Sequence, residues 1–149
     1  MKSLRNKSGF TLPEILIAVA LLTVIFSGVI LTYFRCMELN EISANTSTAV
    51  LAAKSKIAEM ETTAFNSVDA TYNNVPFAVT GLDGMGVSYV DDSTPGILTI
   101  TTVVGWRQSN GRVFGEDTNL NGQLNGSEDL NGNNRLDSIV TFETQRFDT

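Results

Sequence analysis

Asp117, Asn119 and Asn121 stand at alternate positions, Gly122 follows them, and Glu128 takes position twelve when Asp117 is counted as position one. Oxygen donors at positions one, three, five and twelve around a turn glycine form the ligand set of a calcium loop, because a hard divalent cation takes carboxylate, amide and carbonyl oxygens. The position-seven backbone carbonyl, here that of Gln123, joins the set. The pattern recurs twelve residues later: Glu116, Asp117, Asn119, Asn121 and Leu124 return as Glu128, Asp129, Asn131, Asn133 and Leu136, and Asn125 returns as Asp137. Asp129 and Asp137 are therefore additional candidate ligands. The second copy has Asn134 in place of the turn glycine and Val140 at position twelve, so it reads as incomplete on its own. The competing explanation is a solvated loop, since Asn, Asp and Gly also dominate turns. The in-register repeat and the paired acids favour calcium, as one ion or two.

Composition removes most other chemistry. The 149-residue chain has no histidine, which excludes imidazole acid–base catalysis, Ser-His-Asp and Cys-His pairs, and imidazole-ligated metals. Its single cysteine, Cys36, cannot close an intrachain disulfide. A formal net charge of -6 without a basic block argues against nucleic acid as a partner. No nucleophile–base constellation can be assembled, so the chain does not read as an enzyme.

A second chemistry-bearing group lies near the amino terminus. Lys2, Arg5 and Lys7 precede Ile15 to Phe34, a run free of charge and about 30 Å long as a helix, enough to cross a bilayer with the cationic end cytoplasmic. The run ends in Tyr33-Phe34-Arg35-Cys36 without the small-residue site of a cleavable secretory signal. At its lip stands Gly9-Phe10-Thr11-Leu12-Pro13-Glu14. A carboxylate beside an apolar span is costly and calls for a reason.

These residues resemble the processing site of type IV prepilins and type II secretion pseudopilins, in which a short basic leader ends in glycine before Phe-Thr-Leu-x-Glu and a long apolar helix. The resemblance implies that a prepilin peptidase of the inner membrane cuts after Gly9 and methylates the new amino terminus at Phe10. It makes Glu14 the fifth residue of the mature chain. A carboxylate buried between packed helices needs a cation, and the amine of a neighbouring subunit's Phe10 could supply it, setting the axial register. Glu14 would also favour the positive end of the helix dipole, with Pro13 harmless in the first turn.

Placing these two sites requires a helix and a sheet. Leu39, Ile42, Thr46, Ala49, Ala53, Ile57, Met60 and Ala64 recur at three or four residues and predict that the helix continues from Pro13 to about Ala64, weakened at Ser43 to Thr48. Strands are predicted at Pro76 to Thr80, Met85 to Val90, Gly96 to Trp106 and Ile139 to Phe147, with a turn at Gly81 to Gly84 and the long strand half-buried. The fold class is α+β: a pilin-like amino-terminal helix, membrane-spanning in its first half, packed on a small antiparallel sheet. The expected organisation is a leader at 1–9, a membrane or filament-core helix at 10–34, its extracytoplasmic half at 35–65, and a β-rich head at 66–149 carrying the loop at 116–138.

The resemblance implies a structural subunit of a type IV pilus or secretion pseudopilus. Its partners would be prepilin peptidase, other pilin subunits and inner-membrane lipid. Major pilins commonly have a proline where this chain has Leu31, and Leu51 to Met60 is similar to minor pilins of the I or V type, which favours a minor subunit. The alternative is a membrane-anchored extracytoplasmic calcium-binding or adhesive module that does not polymerise.

Overall fold

The computed structural model describes residues 9–148, so Lys2, Arg5 and Lys7 of the predicted leader lie outside the described residues. The chain divides into two compact units between Asn40 and Glu41. Helix α1 (Leu12–Thr62) contributes to both.

In the first unit every side chain from Gly9 to Met37 is exposed, and the helix through Phe34 is long and apolar enough to cross a membrane. Three of its hydroxyls are satisfied internally: those of Thr23, Ser27 and Thr32 donate to the carbonyls of Val19, Thr23 and Gly28 at 2.8, 2.8 and 2.9 Å. Folding these three hydroxyls back onto the preceding turn pairs their donors, as an apolar medium requires.

The second unit is a helix on a sheet. After α1 come a single 3-10 turn, the short helix α2 (Val68–Tyr72), and strands β1 (Val75–Ala78), β2 (Gly84–Thr94), β3 (Ile97–Arg107), β4 (Val113–Phe114) and β5 (Val140–Phe147). All pair antiparallel in the order β1-β2-β3, and β3's other edge is shared, with β5 along Ile97–Val104 and β4 along Trp106–Arg107. Alternation along β3 sends Leu98, Ile100, Val104 and Trp106 toward α1. Ala49 and Ala53 pack there with Val104 and Trp106, and Met60 packs with Leu98, Ile100 and Val68. Two alanines at the contact let the helix come close to the Trp106 ring, which stacks on Phe114 at 5.3 Å. Across β1 and β2, Phe77 faces Gly86, where a Cβ would lie 2.3 Å from the Phe77 ring. Glycine there is what lets the ring lie flat over the strand.

The predicted helix and strands are present with ends shifted by a few residues. Three details differ. The stripe on α1 begins at Ile42, since Leu39 is exposed, and it ends at Met60, since Ala64 lies beyond the helix. The helix persists through Ser43 to Thr48, where Ser47 and Thr48 bond the carbonyls of Ser43 and Ala44, and packing of Ala49 and Ala53 outweighs poor propensity. Finally, β3 is buried on both faces over its centre instead of one, because residues 115–139 fold across the sheet and lay Leu124 and Leu136 on Val87, Tyr89 and Val103.

Candidate functional site

The segment between β4 and β5 forms two loops with the same internal bonding. In the first, Asp117 Oδ1 accepts from the Asn121 N–H at 3.1 Å and Oδ2 from the Gly122 N–H at 2.6 Å. Asn119 Oδ1 accepts from the Asn121 N–H at 3.0 Å, and Asn121 Oδ1 from the Gln123 N–H at 2.8 Å. Twelve residues on, Asp129 accepts from the N–H groups of Asn133 at 3.1 Å and Asn134 at 2.9 Å, Asn131 from Asn133 at 3.0 Å, and Asn133 from Arg135 at 2.8 Å. The sequence repeat is thus a structural repeat. Asn134 adopts φ +58° where Gly122 has +70°, so the missing glycine does not break the second turn, asparagine being tolerant of the left-handed region.

The loops are closed reciprocally. Glu128, which precedes the second copy, accepts from the first copy's Thr118 N–H at 3.0 Å and Asn125 N–H at 3.0 Å. Glu116, which precedes the first copy, accepts from Leu130 N–H at 3.2 Å and Asp137 N–H at 3.0 Å, the residues twelve beyond those two donors. Glu116 is therefore the counterpart in space of Glu128, and the second copy obtains from upstream the carboxylate that Val140 does not supply. Glu116 stands outside the ligand set that the sequence pattern marks, as does Thr118, whose hydroxyl donates to Glu128 at 2.7 Å. A twelve-residue shift applied to Glu128 itself was the available signal for Glu116.

The structure gathers Asp117, Asn119, Asn121, Gln123 and Glu128 in the first loop and Asp129 and Asp137 in the second. Asp137 accepts from the side-chain amides of Asn131 at 2.6 Å and Asn133 at 2.7 Å. In the corresponding place the Asn125 amide donates to Asn121 Oδ1 at 3.2 Å and to the Gln123 carbonyl at 2.8 Å. Donors of this kind, all oxygen, suit a hard cation and exclude soft-metal chemistry. Among the described residues no three acidic, cysteine or histidine side chains converge as a metal cluster, so any ion here would rely on amide and carbonyl oxygens beside the carboxylates. Burial pushes the Glu128 carboxyl up, but the bonds from the Thr118 hydroxyl and from the N–H groups of Asn125 and Thr118 outweigh it and hold the group below its ordinary value.

At the other site, Glu14 lies in the first turn of α1, one turn beyond Phe10, and the surface beside it is lined by Phe10, Ile15, Ala18, Val19 and Leu22. Glu14 is exposed and is the sole charged group of that surface. Gly9 and Phe10 precede the helix without regular structure.

Residues 4–30 match the family model of the prokaryotic N-terminal methylation motif. No curated protein and no solved structure matches the chain. The match spans the Gly9–Phe10 bond and the amino-terminal part of the helix that no part of its own unit covers. A methylation motif that runs straight into an apolar helix which no part of its own unit covers makes the amino-terminal part of the chain similar to type IV prepilins and pseudopilins.

Proposed function

We propose that the chain is a minor structural subunit of a type IV pilus or type II secretion pseudopilus, cut after Gly9, methylated at Phe10 and assembled from the inner membrane with its head outside the cytoplasm. The observation that carries this reading is the run of exposed apolar side chains from Phe10 to Phe34, most of it within the matched methylation motif. So much apolar surface is stable only in lipid or against other helices, and a filament core provides the second after the membrane has provided the first. Glu14 is then the register residue, paired with the Phe10 amine of a neighbouring subunit.

Intact-mass analysis of the membrane-extracted protein tests the reading. Loss of Met1 to Gly9 with gain of one methyl group is expected, and an uncleaved chain in cells with active prepilin peptidase would overturn it. Glu14→Val should leave membrane insertion intact and lower recovery in sheared filaments, because the buried pair that sets the register is lost.

We further propose that the paired loops take up calcium outside the cytoplasm. The all-oxygen donors repeated in both copies support this. Limited charge points to an extracellular-type affinity on the order of 10⁻⁴ to 10⁻³ M. At ~1 mM free calcium, binding of one ion would add only about 0.4 to 1.4 kcal/mol. Calorimetry on the full chain in detergent should show uptake that Asp117→Ala with Glu128→Ala abolishes and Asp83→Ala leaves intact. Absence of heat at millimolar calcium would leave a hydrogen-bonded loop that needs no ion.

A further inference from the structure

The sequence contains four Asn-Gly steps: Asn110-Gly111, Asn121-Gly122, Asn125-Gly126 and Asn131-Gly132. Such steps are chemically labile because glycine carries no side chain to keep its backbone nitrogen from the asparagine carboxamide. Attack requires that the glycine N–H be free to leave its acceptor and give up its proton. The fold treats the four steps differently. The Gly111 N–H donates to the Gln108 carbonyl at 2.8 Å, the Gly122 N–H to Asp117 Oδ2 at 2.6 Å, and the Gly132 N–H to Asp129 Oδ1 at 2.7 Å. The Gly126 N–H alone has no acceptor among the described residues. Asn125, Gly126 and Ser127 are all exposed, at the head of a turn in which the Glu128 N–H reaches the Asn125 carbonyl at 3.0 Å.

We propose that Asn125 is a selective deamidation site of the folded head. The Gly126 nitrogen attacks Asn125 Cγ and forms a C–N bond; the Cγ–Nδ2 bond breaks and ammonia leaves with the proton given up by Gly126. Water then opens the resulting succinimide at either carbonyl, giving aspartate or isoaspartate at position 125. No enzyme, metal or oxidant is needed. The aspartate product places a carboxylate at the position that Asp137 holds in the second copy, so the two loops become alike in charge. It also removes the amide that now donates to Asn121 Oδ1 and the Gln123 carbonyl, leaving three oxygen groups facing one another. The inference stands whether or not calcium binds.

The test is to incubate the full chain in detergent and metal-free buffer at mildly alkaline pH, follow the amide-to-acid mass gain site by site by peptide mapping, and repeat the incubation in denaturant. In the folded protein Asn125 should convert roughly tenfold faster than the other three, the factor expected when each competitor must first break one ordinary hydrogen bond. In denaturant the four rates should converge. Asp117→Ala, which frees the Gly122 N–H, should raise conversion at Asn121 relative to Asn125. Equal rates in the folded protein, faster conversion at Asn110, Asn121 or Asn131, or an unchanged Asn121 rate in Asp117→Ala would overturn the proposal.

Discussion

Asp117 and Asp129 open copies of one twelve-residue pattern and both accept the N–H groups four and five residues on, yet Asp117 is 4% exposed and Asp129 is half-buried. The difference comes from what lies beneath each loop. The first turn is pressed against β1 and β2, so that a Cβ on Gly122 would lie 2.5 Å from Pro76 Cβ, whereas its counterpart Asn134 is exposed. One local pattern thus serves two purposes: the first turn is packed into the core, while the second turn is exposed and its copy reaches the core only through Leu136 beyond it. Local sequence determines how a turn bonds within itself, and tertiary contact determines how much stability rests on it.

The comparison can be tested by substituting corresponding residues and following unfolding of the full chain in detergent by fluorescence of Trp106, the only tryptophan, fully buried in the head. The largest effect is expected at Leu136, 2% exposed on the sheet face opposite α1. Leu136→Ala should cost about 3 kcal/mol through lost transfer energy and the cavity left behind, and Leu124→Ala, at a half-buried position, about half that. Here the order runs against the general one, since the second copy supplies the deeper anchor. Equal costs would mean that the loop does not pack as described. Next in size is Gly122→Asn, for which the left-handed backbone is tolerable but the contact with Pro76 and Met85 is not. It should cost about 2.5 kcal/mol. Asn134→Gly should change stability by about 0.5 kcal/mol or less.

Asp117→Ala follows, at about 2 kcal/mol, because it leaves the N–H of buried Gly122 without its acceptor. Asp129→Ala should cost about 1 kcal/mol, since the N–H groups of Gly132, Asn133 and Asn134 are at exposed residues and water can replace the carboxylate. A greater loss for Asp129 would invert the assignment of core and surface.

Much of this architecture was legible in the sequence because it is periodic. Spacing of three and four gave α1, alternation gave β3, and the twelve-residue repeat gave both loops. Less legible were contacts that join distant positions. Alternation shows that Val103 shares a face with Thr101, but not that a loop more than twenty residues away will cover it. The reciprocal closure was legible only in part: the twelve-residue repeat pairs Glu116 with Glu128, but not which backbone N–H groups each carboxylate will close on once the copies lie against each other. Trp106 and Gln108 carry buried polar atoms with no partner among the described residues, which no pattern of residue types announces.

The smallest expected effect is the pH dependence contributed by Glu128. Its carboxyl is held below the ordinary glutamate value of about 4.3, so the folded state binds this proton less readily than the unfolded chain does. The stabilisation is therefore fully present above the unfolded value and is lost as pH falls through the lower folded value; alkaline conditions should leave it unchanged. Glu128→Gln keeps one oxygen acceptor for the Thr118 hydroxyl and removes the titration. In metal-free buffer the stability difference between wild type and Glu128→Gln should be constant from neutral pH down to about 5 and shrink below it. A difference that grew on acidification would mean that the bonds from Thr118 and Asn125 do not favour the charged carboxylate. The reciprocal closure would then be a matter of geometry in the first copy, with no charge-assisted component to its stability.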